Sequence, residues 1–593
     1  MKHSVSSIVF HLGALLVLSG CAIMEGNAAA VANECTSNSD CTGGVCVDVS
    51  GRGTCVTKRA DLPGLILEVQ PSTEAPYGAG TSFLIPFGNG GLTAQSDTGI
   101  VVDEDVVLPH SVVSPIELYV DYDYKGCLLP PSHKLPADFY FYRNGPHDGL
   151  PNHEAQAVNL VDKNDMFDDA DTYTVDLPKG SYDMHVVPHA PEGCTNAPPP
   201  PTFHSDLDVS QGGKLDLHLT TAPHVISGTV GFPKGQDLTG WTIQVAEPKR
   251  GKPISPAQTL QVEQFNLYAS YSLEYFWNGP TDSSPVLRLR PKDGVNAPRF
   301  FWEIAAISPL NPNAENIEAN LVLVDLDAEG RQVDAFVVDT HGTPVVSTIT
   351  FRSVELSGNA SNNSNFTIIV DTDQDGRFVT KLPPGRYQVV ARPTFDSTKA
   401  VTTDDWIINT TDDCICGKGL IIQDKSTISG FVSLPNGLPL IAGAATVYPS
   451  RSPARPYLSS HLVVEGPTSQ IASAALGPTG DFSLQADPGL VDLLVVPPAS
   501  SFFPWLVRSQ LDVQPNIDGA EMFNLASLVL SYPAIVGGTV RSPDNAIVTN
   551  STVRAWMPVT AAGFDSTVVI QMGETTTGAD GRFILPLAPS LAQ

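Results

Sequence analysis

Basic residues are scarce in this chain of 593 residues. Lys and Arg number 33 against 63 Asp and Glu, which gives a formal net charge of −30 at pH 7. Proteins that bind nucleic acid or an anionic membrane surface rely on clustered cations that neutralise phosphates. The charge balance therefore disfavours both classes, and we expect no nucleic-acid partner.

The sequence also lacks an apolar run long enough for a permanent membrane span. The apolar run near the N-terminus, from Ile8 to Leu18, has about eleven residues, whereas a spanning helix needs about 20. It follows the polar residues Lys2 and His3, an order that is typical of an export signal. We therefore predict an exported protein.

Motifs of the common enzyme classes are missing. No Gly-x-Ser-x-Gly nucleophile motif, Gly-Lys-Ser/Thr phosphate loop or dinucleotide fingerprint occurs. Asp371, Asp373 and Asp375 begin like an EF-hand calcium loop, but the twelfth position is Leu382 instead of the bidentate Glu. We predict no enzymatic activity, no cofactor and no metal site, with a weak calcium site at the three Asp residues as the alternative.

Glycine and proline, in contrast, are abundant. The chain has 49 Gly and 50 Pro, and 42% of its residues are hydrophobic. Such a composition is typical of folded domains with many turns. At roughly 100–200 residues per domain, the length predicts several domains.

Four segments repeat one strand pattern, in which an apolar residue, a small residue and Val occupy alternate positions. They are Ile226-Gly228-Val230, Val333-Ala335-Val337, Ile428-Gly430-Val432 and Val536-Gly538-Val540. Alternation with period two predicts a half-buried strand, and the small residue predicts close approach by another backbone. The small residues stand 107, 95 and 108 positions apart (335 − 228, 430 − 335, 538 − 430), a spacing typical of one sandwich domain.

Two turn motifs follow this strand in the best copy. Asp375-Gly376-Arg377-Phe378 predicts a hairpin turn that places an aromatic residue in the core. Leu382-Pro383-Pro384-Gly385-Arg386-Tyr387 predicts a tight turn before the strand that closes the module. The ordered set resembles the carboxypeptidase regulatory-like domain, a prealbumin-like sandwich of seven strands. The resemblance implies an all-β, Ig-like fold and an accessory role in surface and secreted proteins, without catalytic residues in the module.

These motifs divide the chain into segments. In chain order we predict a signal peptide (1–20), a tether (21–34), a cysteine-rich module (35–58), a divergent β-sandwich domain (63–220), a β-sandwich module (223–328), a carboxypeptidase regulatory-like module (331–425), another β-sandwich module (426–532) and an incomplete β-sandwich module (533–593). The last is incomplete because no Gly-x-Tyr strand follows its turn at Gly581. A truncated reading frame, a degenerate module and completion by a partner strand are the alternatives.

Leu18-Ser19-Gly20-Cys21, directly after the apolar run, resembles the lipobox of bacterial lipoproteins. The resemblance implies cleavage before Cys21 and attachment of a diacylglycerol to its thiol, so that acyl chains hold the protein to a membrane. Residue 22 is Ala rather than Asp, which in the best-known sorting rule favours the outer membrane. An ordinary cleavage site beside an unrelated Cys is the alternative. We expect a lipid-anchored bacterial protein of the outer membrane or cell surface.

Four cysteines are concentrated in the segment that follows the tether. They are Cys35, Cys41, Cys46 and Cys55, and they resemble the small cysteine-rich modules near the start of myxobacterial surface lipoproteins. A segment this short cannot bury a sufficient core, so we predict two disulfides in its place, with all three connectivities open. A zinc site is the alternative, although the spacing fits zinc poorly.

The remaining cysteines form two pairs. Cys127 and Cys194 are the only cysteines between residues 56 and 413, and we predict a bridge between them. Cys414 and Cys416 are separated by one residue, and we predict an exposed structural pair. A labile disulfide, a crosslink to another chain and a site for a soft metal are the alternatives.

Together these features predict a lipid-anchored, non-enzymatic cell-surface protein whose β-sandwich modules serve adhesion or envelope and matrix architecture. Its partners would be the membrane, through the lipid on Cys21, and a glycan or surface protein. A carbohydrate- or protein-binding accessory lipoprotein is the first alternative, and a hydrolase within residues 63–220 is the second. Tryptophans 241, 302, 406, 505 and 556 would favour a carbohydrate site if exposed and would fill cores if buried.

Overall fold

The structure is a computed structural model that describes residues 32–591 with internal gaps. Within that range it does not describe residues 79–81, 88–90, 110–115, 122–136, 144–160, 163–170, 176, 178–179, 190–199, 210–213, 219–223, 234–236, 249–250, 263–266, 279–283, 294, 296, 308–315, 358–363, 397, 450–470, 516–521 and 561–566.

Two disulfides hold the cysteine-rich module, which we call the cap. Its elements are a 3-10 helix (Asn38–Asp40) and the hairpin strands β1 (Val45–Val49) and β2 (Arg52–Val56). Cys35 is bonded to Cys46 and Cys41 to Cys55, with Cα–Cα distances of 5.8 and 5.5 Å. The predicted pair of crosslinks is confirmed, and sulfur atoms bonded in disulfides do not provide the thiolates that the alternative zinc site needs.

Residues 59–108 follow the cap as a series of short strands. They are β3 (Arg59–Pro63), β4 (Ile66–Gln70), β5 (Phe83–Pro86), β6 (Gly91–Gln95), β7 (Val101–Asp103) and β8 (Val106–Val107). β3 and β6 pair with each other, and β4 pairs with β5. β4, β7 and β8 pair with the other end of the chain, as shown below.

The first module is built from residues 116–218. Its described strands are β9 (Ile116–Asp121), β10 (Ala137–Arg143), β11 (Val161–Asp162), β12 (Asp171–Val175), β13 (Ser181–Pro188), β14 (Thr202–Asp208) and β15 (Lys214–His218). They form a sheet in the order β11-β12-β9-β15 and a second group in the order β10-β13-β14.

The second module is built from residues 224–322. Its described elements are β16 (His224–Gly231), β17 (Thr242–Ala246), β18 (Gln258–Thr259), β19 (Tyr268–Asn278), β20 (Val286–Arg290), β21 (Arg299–Glu303), the short helix α1 (Ile304–Ile307), β22 (Asn316–Glu318) and β23 (Leu321–Val322). The first strand, β16, lies between β19 and the pair β22 and β23, and the other group has the order β18-β17-β20-β21.

The third and fourth modules share one topology. The third contains β24 (Arg331–Asp339), β25 (Ser347–Leu356), β26 (Ser364–Asp371), β27 (Arg377–Leu382), β28 (Gly385–Pro393), β29 (Thr402–Ile408) and β30 (Cys414–Ile422). The fourth contains β31 (Ser426–Ser433), β32 (Ala444–Pro449), β33 (Ala472–Ala475), β34 (Asp481–Ala486), β35 (Gly489–Val496), β36 (Leu506–Val513) and β37 (Met522–Val529), with a 3-10 helix at Ala499–Ser501.

In both modules the first strand lies between the fourth and the last, in the orders β27-β24-β30 and β34-β31-β37. The other four described strands form the second layer, in the orders β26-β25-β28-β29 and β33-β32-β35-β36. The last strand runs parallel to the first, and all other pairs are antiparallel. The prediction of tandem all-β sandwich modules behind a disulfide-rich cap is confirmed.

The sequence motifs occupy the predicted places in this topology, with one correction. The apolar and Val positions of all four first strands are buried, and Phe378, Phe482 and Phe583 enter the cores after their hairpin turns. The Pro-Pro-Gly turn, however, does not introduce the closing strand. It precedes the fifth strand, β28, and two further strands follow.

The small residue of the first strand makes room for an irregularity in the last strand. A Cβ at Gly228 would lie 2.1 Å from the carbonyl oxygen of Ala319, between β22 and β23. Such a separation is far below van der Waals contact, so a larger residue would displace the strand. The predicted close approach of another backbone is therefore present in this module.

Sheets that run on from one module to the next join the first, second and third modules. β14 of the first module pairs in parallel with β19 of the second, and β21 of the second pairs with β26 of the third. The cores of the second and third modules form one hydrophobic cluster. The second and third modules therefore share a hydrophobic core and are not independent domains.

The fifth module is built from both ends of the chain. Its C-terminal strands are β38 (Ala534–Arg541), β39 (Thr552–Thr560), β40 (Thr567–Thr576) and β41 (Arg582–Leu587). β4 pairs with β39, and β7 and β8 pair in parallel with β38, so the sheets have the orders β40-β39-β4-β5 and β41-β38-β7 with β8 also on β38.

This arrangement corrects two of the predicted segments. Residues 63–220 are not one sandwich, because β4, β5, β7 and β8 belong to the fifth module and the first module's strands run from 116 to 218. The module at residues 533–593 is not left incomplete, because residues 66–107 supply its fifth, sixth and last strands. The strands come from the same chain, which none of the three alternatives anticipated.

Candidate functional site: the seam between the two ends of the chain

The fifth module is divided between its fourth and fifth strands, and we call the contact between its two parts the seam. In the third module two residues separate these strands, since β27 ends at Leu382 and β28 begins at Gly385. In the fifth module β41 ends at Leu587, and the equivalent next strand begins at Ile66. The backbone N–H of Asp61 donates a 2.7 Å hydrogen bond to the carbonyl of Pro589. In space, the fifth strand on the N-terminal segment therefore begins close to the end of the fourth strand on the C-terminal segment.

A sequence signal for this division exists, although it was missed. Leu62-Pro63-Gly64 directly precedes β4, as Leu382-Pro383-Pro384-Gly385 introduces β28. The missing turn-and-strand motif of the last module thus stands near the N-terminus. The sequence pattern predicted this motif after Gly581, within the same module, and not 519 residues earlier (581 − 62).

Gly538 is the point of closest contact across the seam. A Cβ at this residue would lie 1.8 Å from the carbonyl oxygen of Glu104. Glu104 lies between β7 and β8, at the place that Ala319 occupies between β22 and β23. The sequence pattern predicted close approach of another backbone at Gly538, and the approaching backbone is that of Glu104, near the opposite end of the chain.

Charged side chains flank this contact on both sides. The Arg541 guanidinium donates a 2.8 Å hydrogen bond to Asp105, and the backbone N–H of Thr539 donates another of 3.2 Å to the same carboxylate. Arg582 forms a 2.8 Å ion pair with Asp103. The hydrogen bond from Arg541 holds the pKa of Asp105 below its usual value. Each pair joins an acid of the N-terminal segment to a base of the C-terminal segment.

The second sheet carries a buried acid at the seam. Glu68, on β4, is fully buried. Its carboxylate accepts hydrogen bonds from Trp556 Nε1 at 2.8 Å and from Arg554 at 3.2 Å. Arg554 also contacts Glu574 at 2.6 Å. A buried carboxylate without such partners would be strongly destabilising. Any other pairing of β4 would separate Glu68 from these partners, so the cluster favours the pairing of β4 with β39.

The core beneath the seam is shared between the two segments. One hydrophobic cluster contains buried residues from both, with Leu62, Leu65, Leu67, Val69, Phe83, Ile100, Val106 and Leu108 on the N-terminal side and Val536, Val540, Val553, Ala555, Met572, Phe583, Leu585 and Leu587 on the C-terminal side. Neither segment can bury its apolar face without the other.

The cap lies against the same region. The backbone N–H of Asn33 donates a 2.8 Å hydrogen bond to Ser501, and its side chain donates one of 2.8 Å to the carbonyl of Cys55. The Arg52 guanidinium lies 5.0 Å from the ring centre of Phe502. At the start of the fifth module, the N–H of Thr57 donates to the carbonyl of Pro533 at 2.9 Å. The cap therefore bridges the fourth and fifth modules.

Comparison with known proteins gives only remote likenesses. No family model matches the chain, and no curated protein matches it. Among solved structures, a streptococcal ancillary pilin is 12% identical, with 52% of this chain and 98% of the pilin covered and a TM-score of 0.21. The TIE protein of Bacillus anthracis is 10% identical, with 66% and 68% covered and a TM-score of 0.15.

A third solved structure, the major pilin subunit BcpA of Bacillus cereus, is 9% identical, with 52% of this chain and 99% of the pilin covered and a TM-score of 0.13. Likenesses this weak carry no argument about function. The seven-stranded topology rests on the strand pairing itself, and membership of the carboxypeptidase regulatory-like family stays a prediction.

The other predicted site residues fall into two groups. Cys21, Cys127 and Cys194 lie outside the described residues, so lipid attachment and the second bridge stay predictions. Cys414 and Cys416 are joined by a disulfide at the start of β30, far in sequence from the seam. Within the part of the chain that the structure describes, no helix has the length and hydropathy to cross a membrane.

The calcium-like acids form turn contacts instead of a converging set. Asp373 accepts hydrogen bonds from the backbone N–H groups of Asp375 and Arg377, and Asp371 accepts one from Thr348. These contacts are those of a hairpin turn. Four of the five tryptophans noted above are buried in cores, namely Trp241, Trp302, Trp406 and Trp556.

Proposed function

We propose that this protein is a lipid-anchored, non-enzymatic component of the bacterial cell surface, in which a closed chain of β-sandwich modules serves adhesion or envelope architecture. Cys21 carries the lipid, and the outer membrane or cell surface is the location. The observation that carries the proposal is the seam, because it joins the segment next to the anchor to the last module of the chain.

The seam would let the module chain resist a pulling force, because it joins the segment next to the anchor to the last module by strand pairing. Force applied to an outer module passes through the chain to the fourth and fifth modules, where the cap and the strands of residues 66–107 are packed. Detaching the anchor end requires removal of β4, β7 and β8 from two sheets and exposure of their apolar residues. A surface protein under load benefits from such a closure, whereas a diffusing enzyme has no need of it.

The length of the tether fixes where the seam lies. Eleven peptide units separate Cys21 from Ala32 (32 − 21), the first described residue. At most about 3.3–3.6 Å per residue, they reach at most about 40 Å. The cap and the seam would therefore stand next to the membrane, with the first, second and third modules available for contacts.

An exposed apolar surface on the third module favours a second candidate function, the binding of a protein partner. The outer face of the sheet formed by β24, β27 and β30 exposes Phe336, Val379 and Ile421. Four of the five tryptophans are buried, so they do not form the exposed aromatic platform that would have favoured a carbohydrate site. An accessory lipoprotein that binds another surface protein is thus the second candidate.

The test is Cys21→Ser in the full-length protein expressed in a bacterium that processes lipoproteins. We expect labelled fatty acid to disappear from the variant and the protein to leave the membrane fraction. Cys416→Ser, which keeps the lipobox, serves as the matched control. A wild-type protein that carries no fatty acid and partitions into the aqueous phase of a detergent extraction contradicts the proposal.

A further inference from the structure

The sheet formed by β24, β27 and β30 presents an apolar outer face at its free edge. Phe336, Val379 and Ile421 are 37%, 52% and 55% exposed. The strand register places Phe336 beside Gly419, where an added Cβ would meet its nearest neighbour among the described residues at 4.0 Å. Among the described strands, β30 pairs only with β24, so its other edge is open.

The Cys414–Cys416 disulfide lies on this same face. Cys414 is in register with Gln332, and Cys416 is in register with Asp334, whose carboxylate forms an ion pair with Arg377 on the exposed side. Cross-strand partners share a face of the sheet. Cys416 is exposed and Cys414 is half-buried. Cys416 is therefore the more accessible of the two cysteines to an incoming reagent.

This disulfide contributes little to the fold. It closes a loop with one residue between the cysteines, and the stabilisation expected from a crosslink falls as its loop becomes shorter. β30 is already paired with β24 from Cys414 to Ile422. The cap disulfides differ, because each spans a longer loop and Cys41 and Cys55 are buried. The exposed bond therefore lacks an obvious structural role.

We propose that Cys414–Cys416 is a thiol-exchange site whose co-reactant is a free thiol. The thiolate of the co-reactant attacks Sγ of Cys416, and the bond between the two cysteines breaks. A new sulfur–sulfur bond joins the co-reactant to Cys416, and Cys414 leaves as a thiolate that takes up the proton lost by the incoming thiol. One disulfide replaces another, so no external oxidant or reductant is required.

The same geometry allows the reverse step. The thiolate of Cys414 lies two positions from Cys416 and attacks the mixed disulfide, which releases the co-reactant and restores the original bond. Alternatively, a second thiol attacks the mixed disulfide. Two co-reactant thiols are then oxidised to one disulfide, and the cysteine pair is reduced.

The test uses the full chain and reads each disulfide separately. The protein is incubated with increasing reduced glutathione, quenched with acid and alkylated, and the cysteine peptides are quantified by mass spectrometry. We expect Cys414 and Cys416 to react at least about tenfold faster than the cysteines of either cap disulfide, because Cys41 and Cys55 are buried and Cys35 and Cys46 are half-buried, whereas Cys416 is exposed. Equal rates, or faster reaction of the cap, overturn the proposal.

Two single variants identify the attacked sulfur. Cys414→Ser leaves the exposed Cys416, and Cys416→Ser leaves the half-buried Cys414 as the matched control. With oxidised glutathione, we expect the first variant to form a mixed disulfide at least about tenfold faster than the second, in line with their exposure. No difference between them contradicts attack at Cys416. The double variant should keep the thermal midpoint of the wild type, and a large decrease would assign the bond a structural role instead.

A small thiol and a protein cysteine offer the same sulfur chemistry. The exchange is therefore repeated with a folded model protein that carries one exposed cysteine. Exchange with glutathione alone assigns the site to small thiols, and exchange with both extends it to protein thiols. Exchange with neither overturns the proposal.

Discussion

Gly538→Ala is a minimal change that tests the seam. The added Cβ would stand 1.8 Å from the carbonyl oxygen of Glu104 and 2.6 Å from its carbonyl carbon. To reach a van der Waals separation of about 3.5 Å, the segment between β7 and β8 must move by roughly 1.7 Å. That shift breaks the hydrogen bond from the N–H of Glu104 to the carbonyl of Gly537, which is 2.9 Å long.

The cost follows from these two effects. Insertion of a methyl group into a packed site costs about 1–3 kcal/mol, and one backbone hydrogen bond contributes about 0.5–1.5 kcal/mol. We therefore expect the free energy of opening the seam to fall by about 2–4 kcal/mol, which corresponds to a roughly 30- to 1000-fold increase in the open population.

Hydrogen exchange measured by mass spectrometry reads this opening directly. Peptides covering residues 100–108 and 534–541 should exchange faster in Gly538→Ala by that factor, while the second module keeps its protection. Gly228→Ala introduces a similar contact, 2.1 Å from Ala319, but should loosen only the second module. In Gly231→Ala the nearest atom among the described residues would lie 3.5 Å from the added Cβ, an ordinary contact, so this variant serves as the neutral control. Wild-type protection of residues 66–107 in Gly538→Ala would refute the proposed contact.

Three further outcomes follow from the same contacts. A fragment of residues 533–593 alone should show little protection from hydrogen exchange, because its apolar face is uncovered, and a fragment of residues 59–109 added in trans should restore protection; a fragment that is protected alone contradicts the strand pairing. Reduction of Cys35–Cys46 and Cys41–Cys55 should remove about 3 kcal/mol per bond from the cap by the loop-entropy model, so proteolysis should begin within residues 35–55 while the sandwich modules resist; simultaneous cleavage of the modules would show that the cap is required for their folding. Burial lowers the pKa of His204 from its usual 6.5 to about 4, so the neutral ring favours the folded state above pH 6.5 and stability is lost as the pH falls towards 4. We expect a loss of about 2 kcal/mol between pH 7 and pH 5 in urea unfolding of the first two modules, and a His204→Gln variant with an unchanged pH dependence would exclude this residue as the cause.

Local sequence patterns predicted the repeated parts of the fold well. The first strand, the hairpin turn and the aromatic residue behind it are determined by residues close in sequence, such as Asp373, Gly376 and Phe378. Alternation of apolar residues determines which face is buried. These signals recur about every hundred residues, which is why the module period was visible without a structure.

The pairing of distant segments was not predictable in the same way. β4 has the same alternation whether it pairs with a neighbour in sequence or with β39, because a strand's own pattern does not specify its partner. The predicted domain boundary at residue 63 therefore grouped β4 with the residues that follow it in sequence. In the structure, β4 pairs with β39 instead. Two sequence features indicated the true pairing. One was Leu62-Pro63-Gly64, which repeats the turn before the fifth strand. The other was Gly538, which predicts a neighbouring backbone that the sequence after it did not provide.

The charged contacts of the seam also lay beyond sequence reasoning. Glu68 and Arg554 are separated by 486 residues (554 − 68) and gave no pattern by which they could be matched. In a chain with 63 acidic residues, a single Glu in a strand is most simply taken as solvent-exposed. Only the register between β4 and β39 brings it beside a cation.

An engineered disulfide across the seam provides the most direct measurement. Gln70 and Thr552 are register partners on β4 and β39, and antiparallel partners lie within the Cα separation that a disulfide requires. In the double variant Gln70→Cys and Thr552→Cys, mild oxidation should yield one linked peptide pair within the monomer, detected by mass spectrometry, whereas moving the second cysteine to Thr348 in the third module should yield none. Absence of the 70–552 link, or its appearance only between chains, would contradict closure of the fifth module by its own N-terminal strands.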